Sequence, residues 1–454
     1  MNHPADLSAA ELSARYARKD LSPLETVDAV LARIEALDPI CNAFRHVDAE
    51  GAREQARQSE ARWSRGEPLG TLDGVPVALK DLLHVAGMPT RMGSLATQES
   101  PAPYDCPAAA RLREQGAVLL GKTNTSEYGA RAVTESALAG ITRNPWNADH
   151  TPLGSSGGAA VAAALGFGPL QVATDGGGST RAPAAACGVF GFKPSYGRVP
   201  CYPPAHSGTL FHVGPMARTV TDAALLLNVI SGPDVRDWYA LPDERRDWLA
   251  GLDDGVAGLR IAYSRTLGYV RVDPEVAALV ERAVARFAEL GAIVEEADPG
   301  FEDPRAIMQV LWQAGVARLV EQIPEARRTL LDPALLATAE QGKALGAGAY
   351  LEAMDRRMAL GMHQRRFHTR YDLLLTPTLA EPAPKVGSGG AALFCMPFNL
   401  TQQPAASVPC GFTAGGLPVG LQIVGPQHRD DLVLRAARAF ESAAGWPNPS
   451  ASAY

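Results

Sequence analysis

Twice in this chain a run with helical spacing ends at a glycine and passes at once into a short apolar run. Residues 107–116 (PAAARLREQG) lead into AVLLGKT, and residues 275–291 (EVAALVERAVARFAELG) lead into AIVEEAD. Glycine closes a helix because the residue just past its end adopts a left-handed backbone conformation that a side chain resists. The apolar run that follows reads as a strand covered on both faces. Helix, glycine, buried strand, repeated, predicts an α/β chain: a layered α/β/α fold with a mixed, largely buried central sheet.

Other segments fit that frame. Ser8 with Glu11 and Ser22 with Glu25 have capping-box spacing, and Pro23 suits a first helical position, so residues 1–65 begin with helices. Val27, Val30, Leu31, Ile34 and Leu37 then recur at helical spacing. Residues 302–370 are helical in pattern without strands, an insertion over the sheet that either shapes a pocket or is a packing layer. DLLLTP and GLPVGLQIVG return to strand character before a closing helix, DLVLRAARAFESAA. Residues 233–257, rich in Asp and Pro, suit a surface excursion. No repeat or flexible linker divides residues 1–454, which reads as one domain.

Composition removes several function classes. With 42 Lys plus Arg against 49 Asp plus Glu, the formal charge is −7, and no basic run is dense enough to neutralise a phosphate backbone, which argues against a nucleic-acid partner. No uncharged apolar stretch of about 18 residues is present, as a membrane span would need. The start, MNHPADLSAAEL, lacks the basic and apolar regions of a secretory signal, so a cytoplasmic location is expected. The six cysteines form no C-x-x-C pair and the nine histidines no H-E-x-x-H, so neither a metal nor another cofactor is expected.

Three glycine-bearing motifs compete for the active site. Gly116 to Thr123 matches G-x-x-x-x-G-K-[ST], but a helix precedes Gly116 and AVLL is itself the strand, the reverse of a phosphate loop. Gly154 to Gly158 matches G-x-S-x-G with Ser156 as an elbow nucleophile, although NPWNADHTPL upstream is no hydrophobic strand. An α/β-hydrolase-type esterase of that kind would take its base from His206, His363 or His428. The third motif, Thr174 to Arg181 (TDGGGSTR), follows strand-like LQVA. Its three glycines let N–H groups converge beside Ser179 Oγ, as an oxyanion hole requires, or form a simple turn.

Serine is a poor nucleophile until a base takes its proton, and a buried lysine held neutral can be that base. Lys80 ends the apolar run GVPVALK; a salt bridge to Asp81 is the plainer alternative. Together these residues resemble the amidase signature family. The resemblance covers Asp73 to Asp81, Gly121 to Asn124 with Glu127, Arg143 to Trp146, Gly154 to Gly158, Asp175 to Pro183, Gly191 to Pro194 with Gly214-Pro215, and Gly416 to Gln422. It implies Lys80 as base, Ser155 as a proton relay after a cis peptide bond, and Ser179 as nucleophile. It also implies an oxyanion hole from the N–H groups of Gly176, Gly177, Gly178 and Ser179. The chain departs from the family pattern at Gly176, commonly Thr, at Pro152-Leu153-Gly154, which replaces the usual Gly pair before the serines, and at Gln402, usually Gly.

The function implied is an amidohydrolase that cleaves small neutral aryl or alkyl amides through an acyl-enzyme, with carbamates (urethanes) and esters as related substrates. A partner-dependent transamidation subunit is the alternative within the family. Tyr202, Leu210, Phe211, Met308, Leu311 and Trp312 are expected to form an apolar pocket wall with no charged clamp, unless they are core.

Overall fold

The structure, a computed structural model, describes residues 3–244 and 246–445. Its centre is one eleven-stranded sheet. From edge to edge the strands are Phe44–Val47, Val118–Thr123, Pro76–Lys80, Leu170–Asp175, His212–Ala217, Phe190–Lys193, Ala405–Phe412, Pro418–Val424, Leu373–Pro377, Arg260–Tyr263 and Ile293–Glu296. Pro76–Lys80 runs parallel to both its neighbours, Leu170–Asp175 and His212–Ala217 are antiparallel, and the last three strands are again parallel, so the sheet is mixed.

Alternation along the strands builds two helical layers. Val77, Leu79 and Val172 point to one face, where they meet Leu12, Leu112, Leu226, Val280 and Phe440 from five helices. Ala78, Val118 and Ala173 point to the other, against Val30, Ala56 and the helix Gly157–Leu165. At the far end of the sheet this second face carries Ala262 and Leu374, covered by Met308, Leu311 and Leu360 of the helical segment after residue 302. The result is the α/β/α layering expected. Both capping boxes form, with Ser8 and Ser22 accepting from the N–H groups of Glu11 and Glu25. Between 302 and 370 lie four helices, Arg305–Gln322, Glu325–Arg328, Pro333–Lys343 and Ala347–Phe367.

One strand departs from expectation. Ile293–Glu296 is an edge strand paired only with Arg260–Tyr263, and Ile293 is 60% exposed. Within the strand Val294 packs toward the core, whereas Glu295 and Glu296 are exposed.

Register places the chemistry. Leu79 pairs with Val172, so Lys80 and Thr174-Asp175 emerge together at the carboxyl ends of parallel strands, where loops leave the sheet. After Asp175 the glycines lead through Ser179 into the helix Arg181–Cys187. Ser155 and Ser156 lie at the amino end of the helix Gly157–Leu165.

Candidate active site

Lys80 is fully buried, and among the described residues its side-chain nitrogen contacts three hydroxyls and no carboxylate. Nζ lies 2.7 Å from Ser155 Oγ, 2.8 Å from Ser156 Oγ and 3.0 Å from Thr174 Oγ1. Burial drives its pKa well below that of a free lysine, and Asp175 nearby restores only part of the loss. The expected partner Asp81 is engaged elsewhere, with Lys122.

The hydroxyls differ. Ser156 Oγ donates to the Thr174 carbonyl at 3.0 Å, so its hydrogen is committed and it accepts from Lys80. Ser155 Oγ has no other partner among the described residues, which leaves its own hydrogen uncommitted. The Gly154–Ser155 peptide bond is cis. Ser179 is part-exposed and its Oγ makes no hydrogen bond among the described residues; its carbonyl accepts from Ser156 N–H at 3.1 Å. Among the described residues no hydrogen bond joins Ser179 Oγ to Ser155 Oγ.

Of the four N–H groups expected to form an oxyanion hole, one is taken: Gly178 N–H donates to Asp175 Oδ1 at 2.6 Å. Those of Gly176, Gly177 and Ser179 donate to no protein atom among the described residues. Asp175 itself is clamped. Arg181 reaches it through Nε and Nη2, both at 2.9 Å, and Asn399 Nδ2 donates to it at 2.9 Å. Burial alone would raise the Asp175 carboxyl, yet the guanidinium and these hydrogen bonds hold it well below the usual range. Arg181 also donates to the Cys395 carbonyl and to Gln422, tying the glycine loop to segments from the far half of the sheet.

A cavity of about 240 Å³ opens over Ser179. Gly177, Gly178, Gly154 and Gly129 floor it, Met308, Trp312, Leu393 and Met396 wall it, and Arg131 reaches its edge. The glycines are needed there: a Cβ on Gly176 would meet the Trp312 ring at 3.2 Å, and one on Gly177 the Met308 methyl at 3.0 Å. Of the six residues expected to form an apolar wall, the structure places Met308 and Trp312 at this cavity and the other four away from it. Leu210 and Leu311 are buried core. Phe211 packs under the opposite helical layer, and Tyr202 meets the Tyr104 ring at a tilt of 51° beneath the Arg236 guanidinium. A second cavity of about 520 Å³, shared at Ala391 and Leu393, lies beyond the glycine-rich segment 387–391.

The competing motifs do not assemble. Gly116 caps a helix at φ +76°, and Lys122 lies in a strand against Asp81. Among the described residues no histidine ring bonds to Ser155, Ser156 or Ser179. His206 Nε2 is buried without a hydrogen-bond partner among the described residues, His363 faces the Pro299 carbonyl, and His428 uses its backbone N–H on Ser195. Among the described residues no cluster of His, Cys, Asp or Glu is arranged to hold a metal ion, and no helix is long and apolar enough to cross a membrane.

A sequence profile described as Amidase matches residues 25–434. A bacterial aryl acylamidase, described as one of the amidase signature enzymes, superposes with a TM-score of 0.91 at 33% identity, covering 97% of this chain and 96% of that one. The chain belongs to the amidase signature family. It is a hydrolase acting on amides, by the same likeness. This amidase is also 38% identical to an acylamidase of Rhodococcus erythropolis, over 97% of its own length and 96% of the relative's. It is 37% identical to a component of the glutamyl-tRNA(Gln) amidotransferase of Moorella thermoacetica, over 96% of each chain. Sequence reasoning missed Thr174 and Arg131 as site residues and weighed Ser156 only as a rival nucleophile. Each sits in or beside a motif, with no local signal of which way its side chain turns.

Proposed function

We propose that this amidase cleaves small neutral amides by itself, with Ser179 as nucleophile, Ser155 as relay and Lys80 as base. The observation that carries the proposal is the setting of Lys80, fully buried among three hydroxyls with no carboxylate in hydrogen-bond contact among the described residues. An ammonium there is unpaired and costly, whereas a neutral amine can donate to Ser156 and Thr174 and accept from Ser155. On substrate binding Ser179 passes its proton to Ser155 while Ser155 passes its own to Lys80. Ser179 Oγ then bonds to the amide carbon, and the oxyanion meets the free N–H groups of Gly176, Gly177 and Ser179. Lys80 returns the proton through Ser155 to the leaving nitrogen, and water repeats the sequence on the acyl-enzyme.

The small apolar cavity favours a neutral aryl or alkyl group, which binds by burial at about 25 cal/mol per Å² of apolar surface. The aryl acylamidase and acylamidase likenesses support the same substrate class. Carbamates and esters present the same carbonyl geometry and fall within reach of this site. A partner-dependent transamidation role is favoured by the amidotransferase likeness. Hydrolysis of anilides, carbamates and esters by the purified chain separates the two: turnover without a partner supports the independent amidase, and none supports the partner-dependent role.

A further inference from the structure

We propose that Arg131, Glu135 and Asp332 form a charge cluster at the mouth of the Ser179 cavity that turns away substrates bearing a carboxylate. The inference rests on the amidase reading above and adds its charge selectivity. Arg131 is the one charged side chain among the described residues lining that cavity. Taken alone it would invite an anion, because a guanidinium at an apolar site is a ready carboxylate receptor.

Its surroundings reverse that. Nη2 lies 2.8 Å from Glu135 Oε1, and Nη1 lies 3.2 Å from Asp332 Oδ2. One guanidinium against two carboxylates gives these three side chains a formal charge of −1, and the Glu127 carboxyl behind Asp332 adds no positive charge to offset it. Both acids are held in place. Glu135 sits four residues along the same segment, and Asp332 caps the helix Pro333–Lys343, its Oδ1 accepting from Ala334 N–H at 2.8 Å. The Asp332 N–H in turn donates to Glu127 Oε2 at 2.7 Å, and Ser94 Oγ donates to Glu127 Oε1 at 2.6 Å, so the helical segment is pinned to the cavity edge.

The range is short enough to matter. A group inside a cavity of this size stays within about one Debye length, ~8–10 Å, of its edge at ordinary salt, and the Trp312, Met308, Leu393 and Met396 walls reduce screening. A substrate carboxylate therefore loses its water and meets net negative charge, while a neutral group loses nothing by it. A cationic group is admitted.

The test is a ladder of charge. Counted over the three side chains alone, Arg131→Gln sets the cluster at −2, the native chain at −1, Glu135→Gln or Asp332→Asn at 0, and the double variant at +1. Asparagine retains the helix cap. Methyl-, carboxy- and aminomethyl-substituted anilides are compared, with the substituent on the anilide ring in one series and on the acyl chain in the other. In at least one series the carboxy-to-methyl ratio of kcat/KM should rise about five- to tenfold per added charge, and the aminomethyl-to-methyl ratio should fall. Both trends should shrink in 0.5 M salt, taken as roughly a 4 Å screening length. Ratios flat along the ladder, with all substrates falling together, would mean that the cluster only braces the fold, and would overturn the inference. Absence of any anilide turnover in the native chain would instead sink the amidase reading beneath it. The zero rung is reached by two different variants, and thermal melting of each identifies any that does not fold.

Discussion

Two buried lysines stand one strand apart in this sheet and have opposite fates. Lys80 and Lys122 lie on parallel neighbours, Leu79 pairing with Lys122 and Lys80 with Thr123, and both side chains are fully buried. Lys122 faces the Asp81 carboxylate at 3.3 Å and Thr90 Oγ1 at 3.0 Å. Burial pulls Lys122 down and Asp81 up, and their mutual attraction across the contact opposes both shifts. Lys80 has hydroxyls only, and its pKa falls well below the lysine range for want of a contacting counter-charge. On the function proposed above, the carboxylate makes Lys122 a brace and the hydroxyls leave Lys80 to serve as the base.

The comparison can be broken by substitution. Ser179→Ala leaves both lysines in place and should lower kcat on the order of 10⁶-fold, to background, by removing the atom that bonds to the acyl group. Lys80→Arg should cost about 10⁴-fold or more, since a guanidinium stays protonated and cannot accept from Ser155. Ser155→Ala should approach that loss, whereas Ser156→Ala, which only orients Lys80, should leave readily measured turnover. Stopped assays on anilides and melting curves distinguish these from unfolding.

Lys122→Met should instead act on stability. It strands Asp81 in the interior and should cost about 3–5 kcal/mol in chemical denaturation, with the surviving folded fraction still active. Arg181→Met, which strands Asp175, belongs with it in size, but should also reduce activity because the glycine loop loses its clamp. The smallest effect concerns Gln402, which holds φ +63° at a position the family usually gives to glycine. Gln402→Gly should relieve about 1 kcal/mol of backbone strain, read as a modest rise in melting temperature. Leu153, also in place of a usual glycine, holds φ +60° in the same way.

Much of this is legible in the sequence because local signals and family blocks are read along the chain. Ser22 with Glu25 announces a helix start, and Gly291 a helix end, from neighbouring residues alone. Lys80, Ser155 and Ser179 are reached through the resemblance, and the structure brings Lys80 and Ser155 into contact while leaving Ser179 unbonded. The pocket wall is less legible. Tyr202, Leu210 and Phe211 follow the nucleophile in sequence but turn into packing, whereas Met308 and Trp312 arrive from a helix whose crossing over the sheet no local pattern records. Asp81 choosing Lys122 over its neighbour Lys80 is likewise a matter of strand register. Ile293 reads as buried because its apolar run is that of a covered strand, and only the order of strands shows it at an edge.

The most direct test is the titration of the lysines themselves. The chain has six (Lys19, Lys80, Lys122, Lys193, Lys343 and Lys385), so a lysine-labelled sample can be followed by NMR and assigned by removing them singly. Protonation of Lys80 removes the acceptor for the Ser155 proton, so activity should be present above the lowered pKa and lost as pH falls through it. The account predicts a Lys80 signal that titrates well below 10.5, vanishes in Lys80→Arg, and coincides with the acid limb of kcat/KM for a neutral anilide. A Lys80 that stays an ammonium up to the ordinary lysine range, with the enzyme fully active below it, would contradict the account.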